Sequence, residues 1–374
     1  MSEFAHPEYT RVQTEALHDF TARVFEKLGV PRTDAEITAE VLVSADLRGV
    51  DSHGVARLPR YVNGLRDGVM LPNVEPKIVH ETLTTATLDA GDGLGQPASV
   101  RGMELAIQKA QEVGVGFVTV RNSNHYGIAG YYALMALPYD LIGISLTNAD
   151  TLVVPTFGKK ALFGTNPIAV AVPAGQEKPF VLDMATSVVP RGKLETYSRL
   201  GKEMPLGWAT GPDGNPTTDA ALALKGLASK NVMGGLLPLG GAGELFSGHK
   251  GYGLVLLVEI LCGVLAGAAY GELVYPVSPE GKPLPSKIGH FFGAIRIDGF
   301  RPVNEFKADM DNLIRMTKNS PKADGQERIY IHGEKEFEIE AERRQRGIPL
   351  HEKVIANMRK IAEELEVKWQ DQMV

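Results

Sequence analysis

The chain has 374 residues, of which 44% are hydrophobic and 22% are charged, and its formal net charge is −6. This composition excludes an intrinsically disordered or collagen-like chain, and the length is sufficient for two packed lobes. No extended Lys/Arg cluster is present, which argues against a nucleic-acid partner because phosphate contacts need a basic surface. A small anionic substrate would therefore have to be attracted by local charge.

Cys262 is the only cysteine, so the sequence predicts no disulfide framework and no thiolate metal cluster, and the cytoplasm is the expected compartment. Redox chemistry would then require a bound cofactor. Residues 1–9 lack a basic start followed by an apolar stretch, so no secretory signal is expected. The longest apolar run, residues 254–269, is too short to cross a bilayer comfortably, and we interpret it as a buried helix rather than a membrane segment.

The chain opens with two predicted helices. Two Thr-x-x-Gln/Glu sequences, beginning at Thr10 and Thr33, have capping-box spacing ahead of segments whose apolar residues recur with helical period. Gly49 is expected to end the second helix. Residues 50–54 should then form an exposed turn.

From about residue 82 the sequence changes to β-branched runs separated by helical segments. One candidate helix covers residues 98–112. The candidate strands cover residues 82–89, 116–120, 142–147, 167–172 and 180–184. Alternating strands and helices predict an α/β fold. The last two strands are joined by a short link, which favours antiparallel neighbours, so the sheet is predicted to be mixed.

Strand-like sequence returns over residues 281–292 and 294–297, and the tail is helical again. The tail carries one apolar stripe formed by Val354, Met358, Ile361 and Leu365. The predicted plan is a mixed-sheet α/β lobe inserted into a helical lobe built from both chain ends. We place the helical lobe at residues 1–78 and 300–374, and the mixed-sheet lobe at residues 79–299.

A glycine-rich segment at residues 93–98 satisfies the G-x-G-x-x-A spacing of dinucleotide-binding loops. It lies between a predicted strand and a predicted helix, where backbone amides can surround a pyrophosphate. However, Arg121 and Asn122 end the next strand, in place of the acidic residue that would bind a ribose hydroxyl, and Pro97 removes an amide donor. We therefore favour a plain strand-to-helix turn.

Residues 51–57 bring three reactive groups onto one short stretch: the hydroxyl of Ser52, the imidazole of His53 and the guanidinium of Arg57. The planar guanidinium suits a carboxylate, and the imidazole can act as a general base. The alternative, slightly favoured by spacing alone, is that His53 caps a helix and Arg57 forms a surface ion pair. Ser52 and His53 are neighbours whose side chains diverge, and no HExxH motif is present, so serine-hydrolase and metalloprotease chemistry are not expected.

His125 follows a predicted buried strand directly, and polar residues at a strand's carboxyl end are where α/β sheets bind ligands. The alternative, a histidine satisfied by loop carbonyls, has equal weight. Asp150 and Asp183 also close apolar strands. A carboxylate there could orient a catalytic imidazole or bind a ribose, but it could equally cap the following segment.

A second glycine-rich segment, residues 248–253, contains His249 and Lys250 and precedes the long apolar run. Its backbone amides and Lys250 could bind a phosphate near a helix N-terminus. A flexible loop leading into a core helix is an equally good interpretation. Glu259, inside the apolar run, is expected to be a buried and paired carboxylate, because an unpaired buried charge is costly.

Taken together, the motifs resemble one family: the second type of malate/L-lactate dehydrogenase, which also includes ureidoglycolate, sulfolactate, diketogulonate and cyclic-imine acid oxidoreductases. The likeness covers nearly the whole chain, and its specificity lies in the order of the motifs. The motifs begin at Asp46 (DLRG), Ser52 (SHGVAR), Asn124 (NHYG), Gly164 (GTNP), Leu182 (LDMAT), His249 (HKGYG) and Gly333 (GE).

The resemblance implies a protein that binds NAD or NADP without a Rossmann fold, with a slight preference for NAD. It also implies a homodimer whose sites involve both subunits. His53 and His125 match the family's two catalytic-site histidines, either of which can be the proton donor or acceptor. Arg57 matches the ligand of the substrate carboxylate, with Ser52, Tyr61 and Asp150 nearby; no metal is implied.

For the cofactor, the resemblance implies one strand segment and two further pairs of residues. One position departs from the family pattern: His332 stands where the family often has a proline before Gly333. Separately, residues 275–287 contain no chemistry that the sequence reveals. The matching positions are Val181, Leu182, Asp183, Met184, Ala185, Thr186 and Ser187, then His249 with Lys250, and Gly333 with Glu334.

The resulting hypothesis is a hydride transfer between nicotinamide and a small 2-hydroxy or 2-oxo acid of the malate or L-lactate type. Arg57 would anchor the carboxylate while His125 or His53 takes the hydroxyl proton, and Asp150 or Asp183 would hold the tautomer of that imidazole. The alternatives are a reductase of a cyclic imino acid, or of ureidoglycolate, sulfolactate or a sugar-derived keto acid. A non-enzymatic alternative is an inactive dimeric binding protein.

Overall fold

The computed structural model describes residues 8–228 and 231–369, so residues 1–7 of the N-terminal segment considered above lie outside it. The helices are α1 (Thr14–Lys27), α2 (Arg32–Leu47), α3 (Leu58–Arg66), α4 (Gly95–Val113), α5 (Ala129–Leu134), α6 (Arg191–Arg199), α7 (Ala220–Gly226), α8 (Gly248–Val258), α9 (Val303–Lys318), α10 (Glu334–Arg346) and α11 (Glu352–Leu365). The strands are β1 (Tyr9–Val12), β2 (Lys77–Glu81), β3 (Thr85–Asp89), β4 (Val115–Ser123), β5 (Leu141–Thr147), β6 (Ile168–Val172), β7 (Phe180–Met184), β8 (Ala209–Thr210), β9 (Gly235–Leu236), β10 (Ile288–Arg296) and β11 (Ile348–His351).

The central feature is a seven-stranded sheet with the order β2-β3-β4-β10-β5-β6-β7. Strands β3 and β4, connected by α4, are parallel, and the other neighbouring pairs are antiparallel. The predicted mixed sheet is therefore confirmed. A sheet with one parallel pair is not the doubly wound arrangement of a Rossmann fold.

Strand β10 lies in the middle of this sheet and contributes to the core on both faces. Phe292 packs in the core that includes Met103 of α4. Its neighbour Phe291 packs against the cluster of Val258 and Cys262 instead. This alternation is the period of a β-strand, whose successive side chains point to opposite faces. The sheet is thus covered on one face by α4 and on the other by the end of α8.

The two ends of the described chain build a separate helical core. Strand β1 pairs antiparallel with β11, with Tyr9 opposite His351. Buried side chains from α1, α2, α3 and α11 share one cluster, in which Met358 and Ile361 of the predicted tail stripe are buried and Val354 and Leu365 pack alongside. This agrees with the predicted fold class, and the domain boundaries near residues 79 and 300 stay a prediction.

Both predicted capping boxes are wrong. Thr10 lies in β1, and α1 begins at Thr14; Thr33 lies inside α2, which begins at Arg32 after Pro31. The first error arises because β1 is stabilised by pairing with β11, a contact that local spacing does not reveal. Gly49 follows the end of α2 with a φ of +78°, as its expected role as a helix stop requires.

The apolar run at residues 254–269 is helical as far as Val264, and the helix is not fully buried. Helix α8 continues into a π-helical turn, Glu259–Val264. One face packs on the sheet, whereas Leu257, Ile260 and Val264 are 45%, 51% and 58% exposed. The prediction of a buried helix is therefore wrong for one face. Across residues 8–228 and 231–369, no helix is both long enough and apolar enough to span a membrane.

The strand predicted over residues 281–292 begins later than expected. It starts at Ile288 and continues without a break to Arg296. Pro283 and Pro285 precede it, and proline cannot donate a hydrogen bond to a sheet ladder. Residues 275–287 therefore form a loop, which reaches the site described below.

Candidate functional site

The segment after α2 places three of the predicted site residues. Two short 3-10 turns, Asp51–His53 and Val55–Arg57, lead directly into α3. Residues three and four apart lie on the same side of a helix. Arg57, Arg60 and Tyr61 therefore point toward one region, and Arg60 was not predicted as a site residue.

Gly54 joins the two 3-10 turns, and a glycine is required there for steric reasons. The buried carboxylate of Asp46 accepts a hydrogen bond from the backbone N–H of Val55 at 2.8 Å. A Cβ on Gly54 would overlap that carboxylate. The absence of a side chain at Gly54 thus fixes the path of the chain between His53 and Arg57.

His125 reaches the same region from the end of β4. Its Nδ1 lies 2.6 Å from the hydroxyl of Tyr61, and its ring stacks on that of His53 with centroids 5.6 Å apart and an interplanar angle of 23°. His53 in turn has its Nδ1 2.9 Å from the hydroxyl of Ser52. The structure therefore brings together Ser52, His53, Tyr61 and His125 from two distant parts of the sequence, and the expectation that the side chains of Ser52 and His53 diverge is wrong.

Both histidines are held neutral at neutral pH. Burial and the nearby guanidinium groups of Arg57 and Arg60 lower the pKa of His53 to about 4. Burial, followed by the charges of Arg60, His53 and Arg57, holds the pKa of His125 well below its ordinary value. A neutral imidazole can accept a proton, so either ring is chemically suited to act as a base.

Two arginines give the site a positive charge. Arg57 is exposed, and its Nε donates to the backbone oxygen of Ser52 at 2.6 Å. Arg60 is half-buried and donates to the hydroxyl of Tyr275 at 2.8 Å, with its guanidinium 5.4 Å from the centre of that ring. Tyr275 belongs to the loop in which the sequence revealed no chemistry. The two-arginine arrangement suits an anionic ligand.

The predicted carboxylate partner of the catalytic imidazole is replaced by Tyr61. Asp150 is exposed and accepts a hydrogen bond from the N–H of Thr151 at 2.9 Å. The negative charge of Asp150 helps to raise the pKa of Arg60. Asp183 accepts from the N–H of Gly130 at 2.7 Å. Neither carboxylate is bonded to His125 or His53 within the described residues, so their predicted tautomer-holding role is wrong.

The glycine segment at residues 93–98 supports the site by close packing. Gly95 begins α4, and a Cβ there would overlap the backbone oxygen of Asn124. The side chain of Asn124 donates to the backbone oxygens of Asp92 and Gly93 at 3.0 and 2.8 Å. The segment thus holds the backbone next to His125, in agreement with a strand-to-helix turn rather than a pyrophosphate loop.

A cleft of about 590 Å³ opens beside the histidines, within the usual range for small-molecule sites. Gly333 has a φ of +91°, and a Cβ there would lie 2.8 Å from the Val181 side chain, so the wall needs glycine. The side chains and backbone that line the cleft include Ser52, His53, Ile128, Gly130, Val181, Leu182, Asp183, Met184, Ala185, His332, Gly333 and Lys335. The apolar part of this lining fits a flat aromatic ring such as nicotinamide, and the charged side chains Arg48, Asp183, Lys335 and Glu336 line the cleft as well.

Asp183 lines this cleft together with a second carboxylate, that of Glu336. The side chain of Asp183 is exposed toward the cavity, but the surrounding protein desolvates the carboxylate and raises its pKa to about 6. The nearby negative charge of Glu336 acts in the same direction, and Arg48 opposes it. The cleft therefore carries charges of both signs, since Arg48 and Lys335 line it together with Asp183 and Glu336.

Several predicted cofactor residues lie outside the cleft. Thr186 and Ser187 are buried, and their hydroxyls donate to backbone oxygens. Glu334 pairs with Lys318 and Arg328 instead of facing the cavity. His249 and Lys250 are exposed in the first turn of α8. The structure thus groups Val181–Ala185 and Gly333 at the cleft and separates the other predicted residues from it.

Glu259 and Cys262, both in the apolar run, are buried. Glu259 accepts from Asn166 at 2.8 Å and from the N–H of Gly271 at 3.1 Å, so it is bonded, as expected, but to neutral donors. Cys262 is fully buried. In the described part of the chain, no group of His, Cys, Asp and Glu side chains is arranged to hold a metal ion.

Comparison with known proteins gives consistent matches along the chain. A family model described as malate/L-lactate dehydrogenase matches residues 12–359. A malate dehydrogenase of Pyrococcus horikoshii is 49% identical over 367 residues, covering 98% of each chain. An L-sulfolactate dehydrogenase of Methanocaldococcus jannaschii is 42% identical over 349 residues, or 93% of this chain and 95% of the relative. The crystal structure of a malate dehydrogenase from Entamoeba histolytica superimposes with a TM-score of 0.89 at 37% identity, covering 96% of this chain and 99% of that one.

Proposed function

The chain belongs to the malate/L-lactate dehydrogenase family, and from that premise we propose how its own residues carry out the reaction. It is a nicotinamide-dependent oxidoreductase that acts on the CH–OH group of a 2-hydroxy acid. The observation that carries the residue assignment is the stack of His53 on His125, held by Tyr61 and flanked by two arginines.

We assign proton transfer to His125 and carboxylate binding to Arg57. In oxidation, the substrate hydroxyl gives its proton to Nε2 of His125 while the hydrogen on C2 leaves as a hydride for the nicotinamide. The lowered pKa of His125 supports this role, because the ring is free to accept a proton. The exposed guanidinium of Arg57 can pair bidentately with the carboxylate. His53 stacks on His125 and helps to exclude water.

The cofactor is proposed to lie in the cleft formed by Val181–Ala185 and the Gly333 turn, where it supplies the hydride acceptor. We propose NAD rather than NADP, in line with the slight preference that the resemblance implies; Asp183 and Glu336 would repel an additional phosphate on their side of the cleft, whereas Arg48 and Lys335 also line it. We also propose a cytoplasmic location. The test of the whole proposal is a spectrophotometric screen of NADH and NADPH against oxaloacetate, pyruvate, sulfopyruvate and a cyclic imino acid. No cofactor oxidation with any of the oxo acids would contradict it.

Arg60 provides a second cation, which favours a substrate with two anionic groups. It lies near both histidines, since its charge lowers the pKa of each. Tyr275 holds its guanidinium through a hydrogen bond. With Arg57 engaged by the 2-carboxylate, Arg60 is placed for a second carboxylate or sulfonate. We therefore propose that malate-type acids are preferred over L-lactate.

Replacing Arg60 is expected to weaken the binding of dianionic substrates selectively. In Arg60→Gln, the KM for oxaloacetate should rise by roughly 10- to 100-fold, because a charged hydrogen bond contributes about 1.5–3 kcal/mol, while the KM for pyruvate should change little. Steady-state kinetics with both oxo acids measure this. Arg57→Gln is the matched control and should impair both substrates. Equal losses for both substrates in Arg60→Gln would contradict the assignment.

The exposed apolar face of α8 supports a homodimer. Leu257, Ile260 and Val264 recur at helical spacing along this face, and Leu245 and Phe246 are 86% and 76% exposed just before the helix begins. Large contiguous apolar surfaces mark protein interfaces. We propose that a second copy of the chain covers this face, which would also bring His249 and Lys250 close to the partner's site.

An Ile260→Lys substitution is expected to dissociate the dimer. A charge at the centre of an apolar interface is costly to bury unpaired. Sedimentation velocity or light scattering would show a monomer of half the native mass. Leu83→Lys is the matched control, since Leu83 is 70% exposed at a distant hairpin, and it should leave the mass unchanged. A native mass equal to one chain in the unmodified protein would refute the dimer.

A further inference from the structure

The loop of residues 275–287 is closed and anchored at its base. The backbone N–H of Tyr275 donates to the backbone oxygen of Ser286 at 2.9 Å, which joins the two ends of the loop. The ammonium group of Lys287 lies 2.7 Å from each carboxylate oxygen of Asp92. The base of the loop is therefore held by the protein itself, without the help of a ligand.

Tyr275, the first residue of this loop, has a left-handed backbone conformation. Its φ is +50°, in a region that an aromatic residue rarely adopts because its Cβ is crowded there. Such a conformation persists only where the surrounding contacts require it, and it is common at functional sites. Here the side chain of Tyr275 meets Arg60, whose guanidinium donates to the hydroxyl at 2.8 Å and lies 5.4 Å from the centre of the ring.

The base of the loop contacts both halves of the site. At one end, Tyr275 accepts a hydrogen bond from Arg60. At the other end, the hydroxyl of Ser286 donates to Oδ1 of Asn124 at 2.7 Å, and both of these residues are buried. Asn124 directly precedes His125 in the chain. The loop thus connects a cation of the site with the segment that carries the proposed base.

Helix α3 gives a second connection between the same two groups. Arg60 is followed by Tyr61, whose hydroxyl lies 2.6 Å from Nδ1 of His125. The backbone of Arg60 is therefore fixed relative to His125 by the helix, and its guanidinium is fixed by Tyr275. Without the second contact, only the flexible stem of the arginine would determine where its charge lies.

The two arginines of the site differ in how they are held. Arg57 is exposed, whereas Arg60 is half-buried and bonded to a side chain that the loop keeps in place. Fixing a long side chain in advance lowers the entropy cost of binding a ligand. It also means that a ligand whose anionic group does not reach the fixed charge loses that interaction.

We propose that Tyr275 determines substrate specificity by fixing Arg60, so that the site selects dianionic acids by the length of their carbon chain. This inference rests on the proposed function, in which Arg60 binds the second anionic group. Oxaloacetate and sulfopyruvate have one methylene between the carbonyl carbon and that group, whereas 2-oxoglutarate has two. Tyr275 does not touch the reacting atoms and acts through Arg60, so it is a positioning residue.

The test is the variant Tyr275→Phe, which keeps the ring beside Arg60 and removes the hydroxyl that accepts its hydrogen bond. We expect the KM for oxaloacetate to rise about fivefold, the factor that corresponds to one hydrogen bond. The KM for pyruvate, which has no second anionic group, should stay unchanged. The ratio of kcat/KM for oxaloacetate to that for 2-oxoglutarate should also fall about fivefold, because the released guanidinium can follow the longer acid.

Three further variants accompany this measurement. Tyr275→Asn removes both the ring and the hydroxyl, and asparagine tolerates the left-handed conformation, so this variant should lower the ratio at least as far and replaces Tyr275→Phe if that protein does not fold. Tyr139→Phe is the matched control, because Tyr139 is 54% exposed, and it should change no KM. In an Arg60→Gln background, Tyr275→Phe should cause no additional loss with oxaloacetate, because the two residues act through one contact.

The outcomes separate this inference from the proposed function. Unchanged ratios in Tyr275→Phe, or equal losses with oxaloacetate and pyruvate, would overturn the inference, because a merely structural role affects all substrates alike. A selective loss in Arg60→Gln together with unchanged ratios in Tyr275→Phe would overturn the inference alone. Equal losses with both substrates in Arg60→Gln would instead overturn the role of Arg60 on which the inference rests.

Discussion

A His125→Asn variant is expected to lose turnover by about a thousandfold, which is the middle of the range for removing a general acid–base group. Asparagine keeps a polar group near Tyr61 but cannot exchange a proton with the substrate. Because His125 does not line the cleft proposed for the cofactor, binding of the reduced nicotinamide should be retained. Stopped-flow turnover and a fluorescence titration of reduced cofactor measure the two quantities separately.

His53→Asn is the matched control for this prediction. It replaces the second ring of the stack, and its effect should be clearly smaller if His125 alone transfers the proton. The reverse ranking would move the role of base to His53. Equal and complete loss of cofactor binding in both variants would show that the histidines build the cleft rather than carry out proton transfer.

The pH dependence of the unmodified enzyme follows from the same group. A base must be neutral, and burial with the neighbouring arginines holds the pKa of His125 below the ordinary value of 6.5. The neutral form therefore persists as pH falls to 6.5 and is lost only below it. We expect kcat/KM for oxidation to show no acid limb from this group above pH 6.5, whereas a limb centred at pH 7.5 would contradict the assignment.

Gly54→Ala is expected to cause the largest loss of stability among conservative changes near the site. The added Cβ would overlap the carboxylate of Asp46, which cannot move freely because it is buried and bonded to Val55. Relief requires a shift of the backbone, and we expect a loss of about 3 kcal/mol in the free energy of unfolding. The same shift would displace His53 and Arg57, so activity should fall as well.

Denaturant unfolding of the variant measures this loss. Gly192→Ala is the matched control, because a Cβ on Gly192 meets nothing within 4 Å and alanine favours a helix over glycine. It should leave stability equal or slightly higher. A Gly54→Ala protein as stable as the unmodified one would show that Asp46 can move aside.

The sequence predicted the reactive side chains better than their connections. His53, Arg57 and His125 could be chosen because imidazole and guanidinium groups follow turns and strand ends. Arg60 could have been predicted in the same way, since it lies about one helical turn after Arg57 and on the same side of α3. Tyr275 was not, because its loop meets Arg60 across 215 positions of sequence, a contact that local spacing does not encode.

The residues that line the cleft proposed for the cofactor were predictable only in part. The family resemblance indicated Val181 to Ser187 as cofactor positions, but it could not show that the hydroxyl of Thr186 is turned inward and bonded to backbone oxygens. Glu334 was predicted as a cofactor residue from the family resemblance alone. The structure uses it as the centre of an ion-pair cluster with Lys318, at the end of α9, and Arg328, in the segment between α9 and α10.

The pairing of β1 with β11 also determines when this protein can finish folding during its synthesis. Tyr9 leaves the ribosome early, but its partner His351 is translated almost at the end of the chain. The seven-stranded sheet uses strands between Lys77 and Arg296, so it can assemble first, as domains generally fold in the order of synthesis. Helices α1 to α3 must wait for α11 before their shared core closes, so the apolar side chains of that core stay uncovered by α11 during this interval.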